Sequence, residues 1–459
     1  MAWTINNGKL YFNTVLYTGN GSGQTISGVG FQPDWNWTKC RTATQSHVLT
    51  DSVRGVTKTL FTNATQAEST QSSGLTAFNS DGYVFGSSTL WTDNSQTFAS
   101  WNWKAGTAPS NTYIVKVVSD SGNKYRFDNF GASAVTLEIS EGGTFTFDQS
   151  DSSNNGHPLR FATQADGANS SQYTTGVTTN GTPGQAGAYT RITVAASAPT
   201  LYYYCTQHSG MGGQANTPTT NSFSNFSGTI QSNISPNTTA GFSIVSYTGN
   251  GSAGATIGHG LSQKPSIIIT KRRDSTSNWL VYSSELGATK YLELETTNAG
   301  QTATSRWNDT EPTSSVFSVG TSTSANPSSG TMIAYCFAEK QGYSKFGSYT
   351  GNGSTDGTFV YTGFKPAFVM IKATGLVKNW LTFDNRRLGY NGAGTNKQLH
   401  PNTNGTESSG NGTTLDILSN GFKTRTTDSD ENGSGQNYIY MAFAENPFTS
   451  STGTPVTAR

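Results

Sequence analysis

The sequence predicts an all-β protein. Three tandem β-sandwich units of jelly-roll or lectin-like type are expected, with a further small β domain inserted between the first and the second. The hexapeptide Tyr17-Thr-Gly-Asn-Gly-Ser22 recurs at Tyr247–Ser252 and again at Tyr349–Ser354. Short apolar or alternating runs are separated by Gly, Asn, Asp and Ser clusters, and no segment sustains a helical period. The second and third hexapeptides start 102 residues apart, but the first and second start 230 apart, a surplus of 128. A regular repeat interrupted once by a domain-sized insertion accounts for all three observations.

The elements follow in order. The first unit takes residues 1–106, the insertion 107–216, a Thr/Asn/Ser/Pro-rich linker 217–240, the second unit 241–342 and the third 343–459. After each hexapeptide comes a Gly-apolar element with a proline and a strand ending in lysine: Pro33 to Lys39, Pro265 to Lys271, Pro366 to Lys372. A second match follows, Asp51-Ser-Val-Arg-Gly55, Ser283-Ser-Glu-Leu-Gly287 and Asn385-Arg-Arg-Leu-Gly389. Each unit closes on an aromatic-rich strand, at Phe98–Trp103, Ala334–Phe337 and Tyr440–Phe443. The Thr-Gly-Asn-Gly turn supplies the positive-φ residues that a tight hairpin needs.

Composition narrows the function. The 459 residues suffice for three or four domains of about 100–150 residues. Charged residues make up 12%, near half the usual share, and the net charge of +1 gives no electrostatic reason to bind nucleic acid or an anionic membrane. Aromatics at 12% argue against disorder, and no apolar run is long enough for a spanning helix. The first residues lack the pattern of a secretory signal, and three widely spaced cysteines give no disulfide framework. A chain made in a cytoplasm yet composed like an extracellular β adhesin is expected to be a virion part.

The hexapeptides, with Gly30-Phe-Gln-Pro-Asp34, Asp51-Ser-Val-Arg-Gly55, Phe78-Asn-Ser-Asp-Gly82 and Trp101-Asn-Trp-Lys-Ala-Gly106, resemble a repeat domain of marine bacteriophage structural and tail-fibre-type proteins. The resemblance implies a virion location and assigns no catalytic residue. Trp35/Trp37 and Trp101/Trp103 each share one strand face, where a sugar platform or a core is possible. Trp35 aligns with Ile267 and Phe368, Trp37 with Ile269 and Met370, and Trp103 with Phe337 and Phe443. Positions that accept Ile, Met or Phe fill volume, so core packing is expected, with buried partners for the indole N–H groups. Glycan contact falls instead to loops such as 298–312 or 391–412.

The insertion carries the most specific chemistry. Strands are expected at Tyr113–Val118, Ala134–Ile139, Thr144–Phe147, Arg191–Val194 and Leu201–Tyr204, the last running into Cys205-Thr-Gln-His208-Ser-Gly-Met211. A thiolate, an imidazole and a thioether in one loop can converge on one ion. A blue-copper centre needs that set plus one remote imidazole, which His157 supplies. This domain resembles the cupredoxins, a Greek-key β-sandwich family, with ligand-loop spacing of the amicyanin type. The resemblance implies copper held by His157, Cys205, His208 and Met211.

Other signals are weaker. Asp148/Asp151 and Glu138/Glu141 are carboxylate pairs in contexts unsuited to glycoside cleavage. The stretch Asp428-Ser-Asp430-Glu431-Asn-Gly433 lacks the twelfth-position Glu and flanking helices of an EF-hand. His47, His259 and His400 have no partners at metal spacing, and no phosphate-binding or nucleophile-elbow motif occurs. The expected function is therefore a non-enzymatic virion structural protein, a tail fibre or other surface fibre mediating host attachment. Its expected partners are other virion proteins, a host surface glycan or receptor and further copies of itself, a trimer being favoured. No nucleic acid and no membrane insertion are expected. A capsid-decorating fibre, a polysaccharide-degrading spike and a copper-binding redox protein are the alternatives.

Overall fold

The computed structural model of the protein describes residues 5, 7–106, 109–387, 391, 397–408 and 414–446. The chain is mostly β, in several antiparallel and mixed sheets. The α-helices among the described residues, Thr89–Thr92 and Thr304–Trp307, have four residues each. None is long and apolar enough to cross a membrane.

Three large sheets dominate. In the first, Phe12–Thr18 pairs with Thr97–Trp103, which pairs with Trp35–Cys40 and then Val48–Asp51. In the second, the corresponding order is Phe242–Thr248, Thr331–Phe337, Ile267–Arg272 and Leu280–Ser283. In the third it is Ser344–Thr350, Asn437–Asn446, Lys365–Ala373 and Trp380–Asp384. A smaller sheet accompanies each: Gln24–Ser27 with Gly82–Phe85 and Leu75–Asn79, Ala255–Gly258 with Val316–Val319, and Phe359–Tyr361 with Gly421–Thr424 and Leu415–Leu418.

The hexapeptide does not make a hairpin. It carries the chain from the large sheet to the smaller one, Phe12–Thr18 and Gln24–Ser27 lying in different sheets. Its residues suit that task. The Tyr17, Tyr247 and Tyr349 hydroxyls donate to the carbonyls of Trp91, Ala325 and Glu431, at 2.8, 2.7 and 2.6 Å. Asn20, Asn250 and Asn352 each accept from the N–H two residues on, an Asx turn. The following glycines, Gly21, Gly251 and Gly353, have φ of 74°, 72° and 66°, which a side chain would resist.

The large sheets face one another across a shared core. Trp35 is directly opposite Trp103, Ile267 opposite Phe337, and Phe368 opposite Phe443. One step along, Trp37 faces Trp101, Ile269 faces Tyr335, and Met370 faces Met441. All twelve belong to one buried cluster. Rings meet across sheets, with Trp35 and Tyr335 centroids 4.7 Å apart and Trp103 and Phe368 centroids 5.7 Å apart. The tryptophans are core, each at most 1% exposed. Their N–H groups are only half provided for. Trp37 donates to His47 Nδ1 and Trp101 to Asp384 Oδ2, whereas those of Trp35 and Trp103 have no partner among the described residues.

Three seams join the sheets at their edges. At least one backbone hydrogen bond of 2.8 Å crosses each: Glu68 N–H to Arg273 O and Ser277 N–H to Thr65 O at the first, Gly300 N–H to Thr374 O and Lys378 N–H to Thr297 O at the second, and Glu407 N–H to Arg41 O at the third. A buried lysine crosses beside it, Lys271 donating to Thr65 O, Lys372 to Thr297 O and Lys39 to Asn404 O. Two seams also bury a carboxylate–guanidinium pair that accepts a proton from the neighbouring sheet. Asp51, paired with Arg54, accepts from the Tyr335 hydroxyl, and Asp384, paired with Arg387, accepts from the Trp101 indole. Buried pairs of this kind persist only where every lone pair is satisfied.

Residues 110–216 form two five-stranded sheets. One is ordered Asn123–Phe127, Ser110–Ser119, Thr144–Asp148, Tyr189–Thr193, Val177–Asn180; the other Leu137–Glu138, Gly213–Asn216, Leu201–Cys205, Leu159–Ala162, Gln172–Tyr173. Both are mixed, because Ser110–Ser119 runs parallel to Thr144–Asp148 and Leu137–Glu138 parallel to Gly213–Asn216. The strand expected at Ala134–Ile139 shrinks to Leu137–Glu138. Residues 217–240, expected as a linker, contain strands Phe223–Asn225 and Ser232–Asn237, which extend the second large sheet. The polar composition hid buried Phe223, Phe226, Ile230 and Ile234.

Candidate metal centre

Three elements of the 110–216 region bring the ligand set together. His157 lies between the short helical turn Ser152–Asn154 and the strand Leu159–Ala162; Cys205 ends Leu201–Cys205; His208 sits in the loop beyond. Leu159 and Cys205 are register partners, so antiparallel pairing delivers His157 to the level of the thiol.

The Cys205 sulfur lies 3.9 Å from His157 Nδ1 and 3.7 Å from His208 Nδ1. The three donor atoms fall within 4.8 Å of one another, and the imidazole centroids are 4.5 Å apart. An ion ~2.3 Å from sulfur and ~2.0 Å from nitrogen, at a trigonal angle of ~120°, requires an S···N separation of about 3.8 Å. The sulfur-to-nitrogen spacings therefore match those of an ion bound between the thiol and the imidazoles, and the group could hold a metal. Cys205 is buried, His157 half-buried and His208 exposed. Burial, and then the charge of His208, holds the His157 imidazole below its usual pKa, favouring the neutral form that binds metal. Met211 is fully buried in the adjoining core.

The supporting shell was not legible in the sequence. Gln149, buried, brackets Pro158: its Nε2 donates to His157 O at 2.8 Å, and its Oε1 accepts from Leu159 N–H at 3.1 Å. Asn154 accepts the His157 N–H on its carbonyl at 2.8 Å and anchors its own amide on Val115 O at 2.8 Å. The Tyr125 hydroxyl donates to His157 O at 2.9 Å, and burial, then the neighbouring Cys205 sulfur, pushes its pKa up. On the other side, both Asp166 oxygens accept from Gly210 N–H, fixing the loop that carries His208. These partners act on the backbone that carries the two histidines and so position the ligands.

The carboxylates considered for sugar cleavage are engaged in local structure. Asp148 accepts from Ser150, Asp151 caps the turn at Ser152–Asn154, and Glu138 accepts from Asn216. In the calcium-like stretch, Asp430 pairs with Lys378 at 2.9 Å and Glu431 is buried. Loop 298–312 includes the helix Thr304–Trp307, whereas much of loop 391–412 falls outside the described residues.

Comparison with known proteins gives one family. Its model, a domain of unknown function (DUF7483), matches residues 7–128 and 214–447, and the chain belongs to that family. The stretch 129–213, which holds His157, Cys205, His208 and Met211, lies between the matched segments. No curated protein and no solved structure matches.

Proposed function

We propose that this member of the DUF7483 family is a non-enzymatic structural and adhesive protein of a bacteriophage particle, a tail fibre or other surface fibre. In this reading, three copies of one sandwich blueprint close into a ring. The observation that carries it is the succession of like contacts at like positions: a backbone bond and a crossing lysine at every seam, and one aromatic cluster joining all three large sheets. Such a ring presents three outward sets of variable loops from a single chain. Weak contacts to a host glycan or receptor then gain roughly 10²–10⁴ by multiplicity, and further copies, a trimer in the simplest assembly, extend the gain. Mass spectrometry of gradient-purified particles tests the reading. The chain is expected in fixed ratio to the major virion proteins; its presence in lysate but not in particles overturns it. Gold labelling then separates a tail fibre from a capsid-decorating fibre.

The geometry around Cys205 favours a second role, copper binding by a cupredoxin-like insertion. His157 and His208 would hold the ion through Nδ1 and Cys205 through Sγ, and the cupredoxin resemblance would add the Met211 thioether as a weaker donor. A copper ion so held supplies reversible one-electron chemistry. Gln149 and Asn154 orient His157, and Asp166 orients the loop of His208. Thiol titration tests the assignment. Cys40 and Cys336 are wholly enclosed, whereas Cys205 is 4% exposed and lies against the exposed His208, so Cys205 is expected to react first in the folded chain, and Cu(II) is expected to protect it. Unprotected reaction in the presence of Cu(II) refutes the site.

A further inference from the structure

The three seams are not alike. Eight residues after each crossing lysine stands Trp279, Trp380 or His47. The two indoles donate across their seams to backbone carbonyls, Trp279 to Phe61 O and Trp380 to Glu293 O, both at 2.9 Å. Neither can titrate. At the remaining seam, between the third and first large sheets, the place is taken by His47, fully buried. Its Nδ1 accepts from the Trp37 indole at 3.0 Å, which requires an unprotonated nitrogen there. This is also the seam that no chain connection ties together, since the chain runs from first sheet to second to third.

We propose that this seam is an acid-sensitive clasp: a proton taken up on His47 breaks its acceptor bond with Trp37 inside the first sheet and sets a cation against the Trp101 ring, on which His47 stacks at 6.4 Å and over which Arg387 of the third sheet sits at 5.4 Å, so that the Trp101–Asp384 contact between the third and first sheets opens while the other two seams stay shut. The surroundings favour that response. The charged and titratable groups that bear on His47 are Lys39 of its own sheet, and Arg387 and His400 of the third. Burial first, then those three, hold its pKa well below the usual value, and its buried Nε2 has no hydrogen-bond partner among the described residues. Asp384 is occupied by Arg387 and Trp101, and Glu407 by Arg41 and Arg387. His400, depressed by burial, has only Asp430 acting to raise it. A cation on His47 would thus join Lys39 and Arg387 with no free carboxylate beside it. Because the unfolded histidine binds protons near pH 6.5 and the folded one does not, stability of this seam falls as pH falls through that value.

Amide exchange on the full chain at pH 7.5 and pH 5.0, expressed as protection over intrinsic rates, tests the clasp. The Glu407 amide reports on this seam, Glu68 and Ser277 on the seam of first and second sheets, Gly300 and Lys378 on that of second and third. Protection at Glu407 is expected to drop by about tenfold or more at pH 5.0, with the other four amides unchanged. Equal protection at both pH values, or loss at all five amides together, overturns the proposal. His47→Gln, which cannot titrate, is expected to abolish the drop. Should that variant fail to fold, ring C–H exchange of His47 in the wild type decides, an ordinary midpoint near 6.5 contradicting the clasp.

Discussion

The shared core and the Cys205 loop use side chains in opposite ways. Across the core, one position is Trp35, Ile267 or Phe368 and its opposite is Trp103, Phe337 or Phe443; each fills space, and the chemistry is interchangeable. Around Cys205 nothing is interchangeable, because two imidazole nitrogens and one sulfur must converge to within 4.8 Å. The core is held by bulk: the indole N–H groups of Trp35 and Trp103 are buried in it with no hydrogen-bond partner among the described residues. The metal loops are held by a few directed hydrogen bonds to single backbone atoms. Volume organises the first region and direction the second.

Substitutions should therefore separate the two regions. Trp103→Ala, which empties the centre of the core, is expected to cost about 3–5 kcal/mol in denaturant unfolding while leaving metal affinity unaltered in whatever fraction remains folded. Gln149→Leu does the reverse. Metal affinity by competition titration is expected to fall by about 10–100-fold with a smaller change in unfolding free energy, because the bracket on Pro158 is lost. Equal damage to both properties by either variant would erase the distinction.

How much of this was legible in the sequence follows the same division. The hexapeptides could be read as turns because that part of their work is local, an Asx turn at Asn20 next to a positive-φ glycine at Gly21, whereas the Tyr17 hydroxyl reaches a carbonyl 74 residues away. The destination of the turn could not, since nothing in Thr-Gly-Asn-Gly says whether the next strand joins the same sheet. The tryptophan pairs were readable as core by comparison with Ile267, Phe368 and Met370. The Tyr335–Asp51 bond, 284 residues apart in sequence, was not, because spacing carries no record of which buried acid meets which hydroxyl. Likewise the Cys-x-x-His spacing pointed to the ligands, but Gln149 and Asn154 have no local signature.

Smaller effects sharpen the picture of the seams. Trp101→Phe keeps the bulk but removes one donor to Asp384, and is expected to cost about 1–3 kcal/mol, as for a buried acceptor left short. The crossing lysines give a pH signature. Burial lowers Lys39, Lys271 and Lys372 to about 8. Between about pH 8 and 10 the unfolded chain holds more protons at these positions, so their contribution to stability rises with pH, by at most about 1.4 kcal/mol per unit for each lysine. Lys271→Met should flatten part of that slope in unfolding measured at successive pH values; an unchanged slope would mean the ammonium is not buried at the seam.

Copper titration of the purified chain, followed by absorption, bears most directly on the proposed division between a ring that would supply scaffold and an insertion that would supply chemistry. One equivalent of Cu(II) is expected to give an intense thiolate-to-copper band at roughly 600 nm in the wild type, and none in Cys205→Ser, whose unfolding curve stays close to that of the parent. A colourless wild-type product would contradict the account, as would a band that survives the loss of Cys205.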